Sequence, residues 1–322
     1  MSEMLYLSAA DVAEAGPSMS EIVEALERMF VEKAKGAVEM PPKPGVHTAP
    51  DAFIHAMPAY IPAMSAAGMK WVAGYPQNRE RGLPYVTGLL ILNDPETGLP
   101  LAVMDATWIT AMRTGAATAV AAKRLARPDA SRVGIVACGV QGRSNLEALS
   151  CVLEIEKVKA YDIRPQAARD YAAEMGERLG LAVEPVNELR AAVSDLDVVV
   201  TSGPILKNPD PSIDAGWLSP GGFACALDFD SYWTGAALAE ADLLATDDKN
   251  QMEYYRTVGY FAATPEPHAE LAELVSGAKT GRRSAEERAI CINLGLALED
   301  MATAVLVYER AKAQDIGRWL QL

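Results

Sequence analysis

Three basic side chains stand in segments that are otherwise apolar or tightly patterned. Lys43 lies in the proline-rich MPPKPGVH, Lys70 in the strand-like GMKWVAG, and Arg113 in TAMRTGA. A buried cation needs a partner, and a substrate carboxylate could be that partner, since arginine can bind it with two parallel hydrogen bonds. The alternative is that each side chain points to solvent, as most lysines and arginines do. The binding role is favoured for Arg113, because its small neighbours Thr114 and Gly115 allow close approach, and both roles stay open for the lysines.

Two acidic residues follow a predicted strand in the segment GGFACALDFDSYW. Asp228 and Asp230 stand at its end, and ligands of open parallel sheets bind outside the carboxyl ends of the strands. A carboxylate there could serve as a general base, and repulsion between the two could raise one pKa. The alternative is a loop aspartate that caps the following helix. Spacing alone does not choose between these roles, or between the two aspartates.

A glycine-rich turn joins the predicted strand RVGIVAC to the predicted helix GRSNLEALSCVLE. In its pattern A-x-G-x-x-G, Ala137 takes the place of the first glycine of the dinucleotide-binding fingerprint, while Gly139 and Gly142 keep the second and third. The second glycine lets the backbone approach a pyrophosphate, and the third lets helix and strand pack closely. The start of the helix offers N–H groups to phosphate. We expect Ala137 to be tolerated with a negative φ.

An acidic residue follows at the distance that the same fingerprint requires. Asp162 ends the next predicted strand, about 20 residues after the loop, where a carboxylate binds the ribose hydroxyls and repels a 2′-phosphate. This favours NAD as the cofactor, although Arg164 lies close by and keeps NADP as an alternative. A single glycine pattern is a weak signal, and an ordinary tight turn in a Rossmann-like sheet is the alternative.

The order of predicted elements separates two kinds of structure. From residue 132 onward, short apolar strands alternate with helices, which predicts a parallel sheet covered on both faces. The first third is rich in strands, and one long final helix is predicted from SAEERAICINLGLALEDMATAVLVYERAKA, with Ser284 and Glu287 as its capping box. The fold class is therefore α/β. We expect a Rossmann-type nucleotide-binding domain at residues 129–295 and a strand-rich α+β domain made of residues 1–128 with 296–322.

The composition excludes several classes of partner. Of the 322 residues 50% are hydrophobic, which is enough for a sizeable core, and the net charge of -14 argues against nucleic acid and anionic membranes. No apolar run is long enough to span a bilayer, and the acidic N-terminal stretch is not a secretion signal, so we expect a cytoplasmic protein. The four cysteines and three histidines lack the spacing of zinc ligands, and no metal site is expected.

Several segments together resemble the ornithine cyclodeaminase/mu-crystallin family. The likeness covers most of the chain and is carried by GMKWVAGYPQN, by the block from GLLILNDPETG to AVAAKRLA, by ACGVQG, and by LGLALEDMATAVLVYERA. TAMRTGA and GVQ are its most specific parts. The resemblance implies a Rossmann domain and an N-terminal domain that dimerises. It also implies hydride exchange between a nicotinamide and a carbon that bears an amine or imine.

The resemblance assigns roles residue by residue. It makes Lys70 the active-site lysine and Arg113 a ligand of the substrate carboxylate, and Lys43 stands where the family often has another carboxylate-binding arginine. Asp230 matches the general base of the family's Gly-Ala-Asp-Ser motif, although the first residue of the motif is here Asp228. The residues that match cofactor-binding positions are Thr114, Gly139, Val140, Gln141, Gly142, Asp162, Thr201, Ser202 and Asp230.

The expected function is therefore that of an NAD-dependent amino acid dehydrogenase, cyclodeaminase or ketimine reductase. It would act as a homodimer on an amino acid or a cyclic imine, and the residues do not specify which one. The altered loop and motif keep an alternative open. A protein with this fold could bind a nucleotide and a small molecule without turnover, or serve as an accessory subunit of an amine-processing system.

Overall fold

The computed structural model describes residues 3–322. Numbered along the chain, its strands are β1 (Glu3–Leu7), β2 (Gly45–Val46), β3 (Phe53–Ile61), β4 (Ala66–Gly74), β5 (Val86–Asn93), β6 (Pro100–Asp105), β7 (Arg132–Val136), β8 (Lys157–Tyr161), β9 (Val183–Pro185), β10 (Val198–Thr201), β11 (Phe223–Ala226), β12 (Leu243–Thr246), β13 (Ala269–Glu270), β14 (Ala289–Ile292) and β15 (Arg318–Gln321). Its α-helices are α1 (Ala9–Glu14), α2 (Met19–Ala34), α3 (Thr107–Leu125), α4 (Val140–Ser150), α5 (Pro165–Leu179), α6 (Gly235–Ala239), α7 (Lys249–Thr257), α8 (Leu271–Val275) and α9 (Ala297–Gln314), and 3₁₀ turns cover Pro62–Met64, Pro76–Arg81 and Leu189–Ala192. Within residues 3–322, no helix has the length and apolar character needed to cross a membrane.

The chain divides into two compact units. The first runs up to Arg113 and resumes at Leu296–Leu322, and the second is Thr114–Gly295. The sequence placed the first boundary between residues 128 and 129, whereas this division falls inside α3. The later part of α3 packs within the second unit, where Oγ1 of Thr118 lies 3.2 Å from Sγ of Cys225 on β11. A boundary inside a continuous helix is not marked by a turn or a linker in the sequence.

The first unit is a mixed sheet with the strand order β15-β1-β6-β5-β4-β3-β2. Neighbouring strands are antiparallel, except that β1 and β6 are parallel. Side chains alternate between the two faces of a strand, so cross-strand partners share a face. Met57, Lys70, Leu90 and Met104 form one such row, and all four are buried on the face that packs against α9.

The second unit is a parallel sheet with the strand order β13-β12-β14-β11-β10-β7-β8-β9. From β7 the chain adds β8 and β9 on one side and then returns to add β10 on the other. The carboxyl ends of β7 and β10 therefore meet where the strand order reverses, which is the place where open α/β sheets bind ligands. This architecture agrees with the predicted α/β fold class.

The segment before α9 differs from its prediction. In place of one long helix from Ser284, the chain forms β14 and then α9, which begins only at Ala297. Glu287 does accept the backbone N–H of Ser284 at 3.2 Å, but this contact lies in a loop. The apolar run of β14 is inserted between β11 and β12 as a buried central strand. Gly295, with a φ of 77°, turns the chain before α9 starts.

The turn between β7 and α4 also differs from its prediction. Ala137 has a φ of 73° rather than a negative value, and this left-handed conformation costs a non-glycine residue about 1–2 kcal/mol. The conformation lets the N–H of Ala137 donate to the carbonyl oxygen of Tyr161 at 2.8 Å. It also lets the N–H of Cys138 donate to Oδ2 of Asp162 at 3.0 Å. Nη1 of Arg143 braces the turn by donating to the carbonyl oxygen of Cys138 at 2.6 Å.

Replacing Ala137 by glycine should stabilise the protein. Glycine adopts a positive φ without steric cost, and after its greater freedom in the unfolded chain is subtracted we expect a gain of about 1 kcal/mol in the free energy of unfolding. Ala148→Gly, inside α4, is the matched control and should lose at least about 1 kcal/mol. Urea unfolding followed by circular dichroism measures both changes. Equal losses in the two variants would show that Ala137 carries no backbone strain.

Candidate functional site

Lys70 and Arg113 meet at one buried carboxylate in the first unit. Lys70 lies on β4, and its Nζ is 2.6 Å from Oδ1 of Asp300 on α9 and 3.3 Å from Oγ1 of Thr110 on α3. Nε of Arg113, also on α3, is 3.0 Å from the same Oδ1 of Asp300. Its Nη1 donates to Oε2 of Glu299 at 2.7 Å. Two acidic residues of α9 thus hold cations from two elements that are distant from it in sequence.

The two acidic residues occupy the first turn of α9. Negative charge is favoured there by the helix dipole. Oε2 of Glu299 also accepts the backbone N–H of Leu296 at 3.2 Å, which satisfies one of the N–H groups that a helix start leaves without a partner. The helix therefore stabilises the charges that fix the cations, and the cations neutralise charges that burial makes costly.

All three of the basic residues are buried, and their charges influence one another. Lys43, Lys70 and Arg113 are 7%, 0% and 7% exposed, so the alternative in which these cations point to solvent is wrong. Burial lowers the pKa of Lys70 to about 7, against the attraction of Asp300 and with further lowering by the charges of Arg113 and Lys43. Burial also raises the pKa of Glu299. Cations buried this close together are poorly screened by solvent, and they can bind an anion through charge-assisted hydrogen bonds.

The glycine loop of the second unit offers an open helix start. Gly139 is the N-cap of α4 without a side-chain cap, and a Cβ at this position would meet no atom within 4 Å. A Cβ on Gly142 would lie 2.7 Å from the carbonyl oxygen of Ala137, so this glycine permits the close packing that the fingerprint requires. Val140, which is 62% exposed, and Gln141 form the first turn of the helix. These residues fit the pyrophosphate of a dinucleotide.

Asp162 is fixed beside this loop. The residue follows β8 and is buried, and its carboxylate accepts the N–H groups of Cys138 at 3.0 Å and of Arg164 at 2.9 Å. The exposed side chain of Arg164 lies with its Nε 3.5 Å from Oδ1 of Asp162. The carboxylate is thus held at the end of the strand where the fingerprint needs it. Arg164, the residue that kept NADP as an alternative cofactor, lies directly beside Asp162.

The remaining predicted residues lie after β10 and β11. Thr201 is buried at the end of β10, and Oγ of Ser202 donates to the carbonyl oxygen of Ala137 in the glycine loop at 3.1 Å. Asp230 is half-buried, and its Oδ2 accepts a hydrogen bond from Oγ1 of Thr264 at 3.4 Å. Burial raises the pKa of Asp230. A carboxylate with a raised pKa that keeps some exposed surface suits a general base.

Asp228 differs from Asp230 in being fully buried. Its carboxylate accepts hydrogen bonds from Oγ1 of Thr201 and from the N–H of Gly203, both at 2.9 Å. Burial raises the pKa of Asp228 to about 7, and the charge of Asp230 adds a smaller contribution. The expected repulsion between the two aspartates is therefore present, but burial outweighs it. Of the two, only Asp230 has a surface from which it could exchange a proton with a ligand.

The predicted site residues form two groups. The three cations cluster in the first unit, and the cofactor residues of the sheet gather in the second unit at the carboxyl ends of β7, β8, β10 and β11. Thr114 also belongs to the second unit, buried on α3. Sequence reasoning missed Glu299 and Asp300. An acidic pair inside the alanine-rich, apolar LALEDMATAV was the available signal, since buried carboxylates require cationic partners.

Comparisons with known proteins agree with this geometry. A sequence profile of the ornithine cyclodeaminase/mu-crystallin family matches residues 2–315. An alanine dehydrogenase of Archaeoglobus fulgidus is 38% identical, over 98% of this chain and 97% of that protein. The chain belongs to the ornithine cyclodeaminase/mu-crystallin family.

Two solved structures of this family have the same fold. The Δ1-pyrroline-2-carboxylate reductase of Thermococcus litoralis, in complex with NADH and L-proline, is 36% identical with a TM-score of 0.90, over 98% of this chain and 99% of that chain. An archaeal alanine dehydrogenase dimer with bound NAD is 37% identical with a TM-score of 0.89, over 100% of both chains. These relatives confirm the predicted family and fold class. Their activities are of the predicted kind, an NAD-dependent reaction at an amino acid or imine.

Replacing Asp300 by asparagine tests how far one carboxylate stabilises the cluster. The substitution leaves Lys70 and Arg113 buried with less compensating charge, and we expect the free energy of unfolding to fall by about 3 kcal/mol. Glu309→Gln, at an exposed position of the same helix, is the control and should change it by no more than about 0.5 kcal/mol. Urea unfolding gives both values. If the two variants unfold at the same urea concentration, the buried contacts do not stabilise the fold.

Proposed function

We propose that the protein is an NAD(H)-dependent oxidoreductase that interconverts a small α-amino acid and the corresponding α-imine. A cyclic imine carboxylate such as Δ1-pyrroline-2-carboxylate is the first candidate substrate. The observation that carries the proposal is the burial of Lys43, Lys70 and Arg113 close enough together for the charges of Arg113 and Lys43 to lower the pKa of Lys70, because a substrate carboxylate would bind such a group of cations. The alanine dehydrogenase and the pyrroline-2-carboxylate reductase among its relatives support the reaction type.

The same charges favour a substrate whose side chain carries no cation. His55 lies on β3, and burial together with the charges of Lys43, His47 and Lys70 lowers its pKa to about 3. Burial is the larger cause, and the three neighbouring charges add to it, so a further positive group here is disfavoured both by lost hydration and by repulsion. A side-chain ammonium would meet the same repulsion as a protonated imidazole. We propose alanine-like or proline-like substrates over diamino acids such as ornithine.

NAD(H) is the cofactor that we propose for the second unit. Gly139, Gly142 and the start of α4 would hold its pyrophosphate, and Asp162 would bind the ribose hydroxyls and repel a 2′-phosphate. Thr201, Ser202 and Thr114 would complete its surroundings. When bound, the nicotinamide supplies or accepts a hydride at the substrate carbon. We also propose a cytoplasmic location, where this cofactor is available.

The protein's own side chains would bind the substrate and handle the proton. Arg113 and Lys43 would hold the carboxylate, which places the reacting carbon. Lys70, with a pKa of about 7, can hold or release a proton near neutral pH. Asp230 would give or take the proton at the substrate nitrogen, because its raised pKa makes it a better acid–base group than an exposed aspartate.

We propose that the protein forms a homodimer and that the outer face of the first sheet is the interface. Trp71 and Leu89, which are cross-strand partners, are 45% and 50% exposed there. The same face carries the apolar residues Tyr6, Met69, Ile91 and Val103. A contiguous apolar face of this kind marks a protein interface. A second copy of this chain is the partner that we propose, since one patch can pair with itself about a two-fold axis.

The proposed reaction is tested by NADH oxidation with purified protein. We expect turnover of Δ1-pyrroline-2-carboxylate, or of pyruvate with ammonium, and none of ornithine with NAD. Arg113→Ala should lower kcat/KM by about 100-fold, because it removes charge-assisted hydrogen bonds to the carboxylate. Arg169→Ala, exposed on α5, should leave kcat/KM unchanged. Turnover of every active substrate without loss in Arg113→Ala would refute the carboxylate role.

The homodimer is tested by the molar mass in solution. Sedimentation velocity of the natural protein should give the mass of two chains. Trp71→Glu should give the mass of one chain, because a buried charge without a partner costs several kcal/mol at an interface. Val258→Glu changes another exposed apolar residue, in the second unit, and should remain dimeric. A monomeric natural protein, or a Trp71→Glu dimer as stable as the original, would contradict the proposal.

A further inference from the structure

Asp228 is a buried carboxylate that the proposed reaction does not use. Its side chain has no exposed surface, and its two oxygens accept different donors. Oδ1 accepts from Oγ1 of Thr201 and Oδ2 accepts from the N–H of Gly203, each at 2.9 Å. Both donors belong to the segment that leaves the end of β10. The carboxylate therefore fixes this segment at two points, one residue apart on either side of Ser202.

The same segment is bonded to the glycine loop. The N–H of Ser202 donates to the carbonyl oxygen of Val136 at 3.0 Å, and its Oγ donates to that of Ala137 at 3.1 Å. These contacts lie where β7 and β10 adjoin, at the reversal of the strand order. Residues 201–203 thus form one wall of the crevice in which a sheet of this type binds its ligand.

The two groups that are bonded to Asp228 can act only as hydrogen-bond donors toward it. Nε1–H of the buried Trp233 donates to Oγ1 of Thr201 at 3.1 Å, so the hydroxyl hydrogen of Thr201 is directed to Asp228. The N–H of Gly203 can only donate. A residue at position 228 must therefore accept two hydrogen bonds, which an ionised carboxylate does and an asparagine, with one oxygen, does not.

We propose that Asp228 is a positioning residue of the cofactor site, which holds residues 201–203 against the glycine loop and so keeps the dinucleotide crevice preformed. This inference rests on the proposed function in one respect, namely that the crevice receives NAD(H). The carboxylate itself touches neither cofactor nor substrate. Because Asp228 already holds residues 201–203 in place, less conformational entropy is lost when the cofactor binds.

The test compares Asp228→Asn and Asp228→Ala with the natural protein in NADH fluorescence titrations and steady-state kinetics. The assays are run at pH 8, because burial raises the pKa of Asp228 to about 7. We expect the Kd and KM for NADH to rise by about fivefold in the asparagine variant, which loses one hydrogen bond, and by about 30-fold in the alanine variant, which loses two. The kcat at saturating NADH and the KM for the imine should stay within about twofold of the natural values.

Asp242→Asn is the matched control. This exposed aspartate precedes β12, at the opposite end of the sheet, and accepts the N–H of Arg288 at 2.8 Å. It should leave all constants unchanged. A second variant, Thr201→Val, removes one donor while keeping the shape of the side chain. It should raise the KM for NADH by about threefold, and combining it with Asp228→Ala should add little, because both act through the same contact.

The outcomes separate the inference from the proposed function. If the natural protein neither binds nor oxidises NADH, the proposed function fails and the inference fails with it. If the natural protein binds NADH and the Asp228 variants bind it equally well, only the inference fails. A fall in kcat with an unchanged KM for NADH would show a purely structural role and would also overturn it. Where an Asp228 variant does not fold, the constants of Thr201→Val decide.

Discussion

One atom, Oδ1 of Asp300, organises the first unit. It lies 2.6 Å from Nζ of Lys70 and 3.0 Å from Nε of Arg113, and all three side chains are buried. Removing a charge from water costs several kcal/mol even after relaxation, so β4, α3 and α9 must keep their places for the cations to retain a partner. In the proposed function, the same contacts would preorganise the cations for a substrate carboxylate.

In the second unit, two buried aspartates fix the glycine loop and the loop after β10 by accepting hydrogen bonds from backbone N–H groups. Asp162 accepts the N–H of Cys138 in the glycine loop, and Asp228 accepts the N–H of Gly203 in the loop after β10. Each carboxylate holds a backbone segment at the carboxyl end of the sheet. The N–H groups that start α4 are then in place to bind an anion. This explains how a chain with a net charge of -14 can hold an anionic dinucleotide.

The sequence correctly predicted strands and helices that turn residues separate from their neighbours. The strand predicted in RVGIVAC is β7, and the helix predicted in GRSNLEALSCVLE is α4. The patterns failed where β14 and α9 adjoin, because the chain is apolar throughout and only Gly295 divides the two. For the site, the cations were recognisable from their apolar surroundings. Glu299 and Asp300 were recognisable in the same way, as an acidic pair in an apolar segment, but their pairing with Lys70 and Arg113 was not, because these residues are distant in sequence.

Because the pKa of Lys70 is lowered, binding of the proposed substrate would change the protonation of this lysine. Burial holds this pKa at about 7, so near neutral pH part of the molecules carry a neutral amine. In the proposed reaction a substrate carboxylate adds a negative charge to the cluster and raises that pKa again. Binding then draws a proton into the site. Reduction of an imine to an amine consumes one proton with each hydride, so in the proposed reaction the proton that Lys70 takes up on substrate binding would offset part of the proton demand that Asp230 meets at the substrate nitrogen.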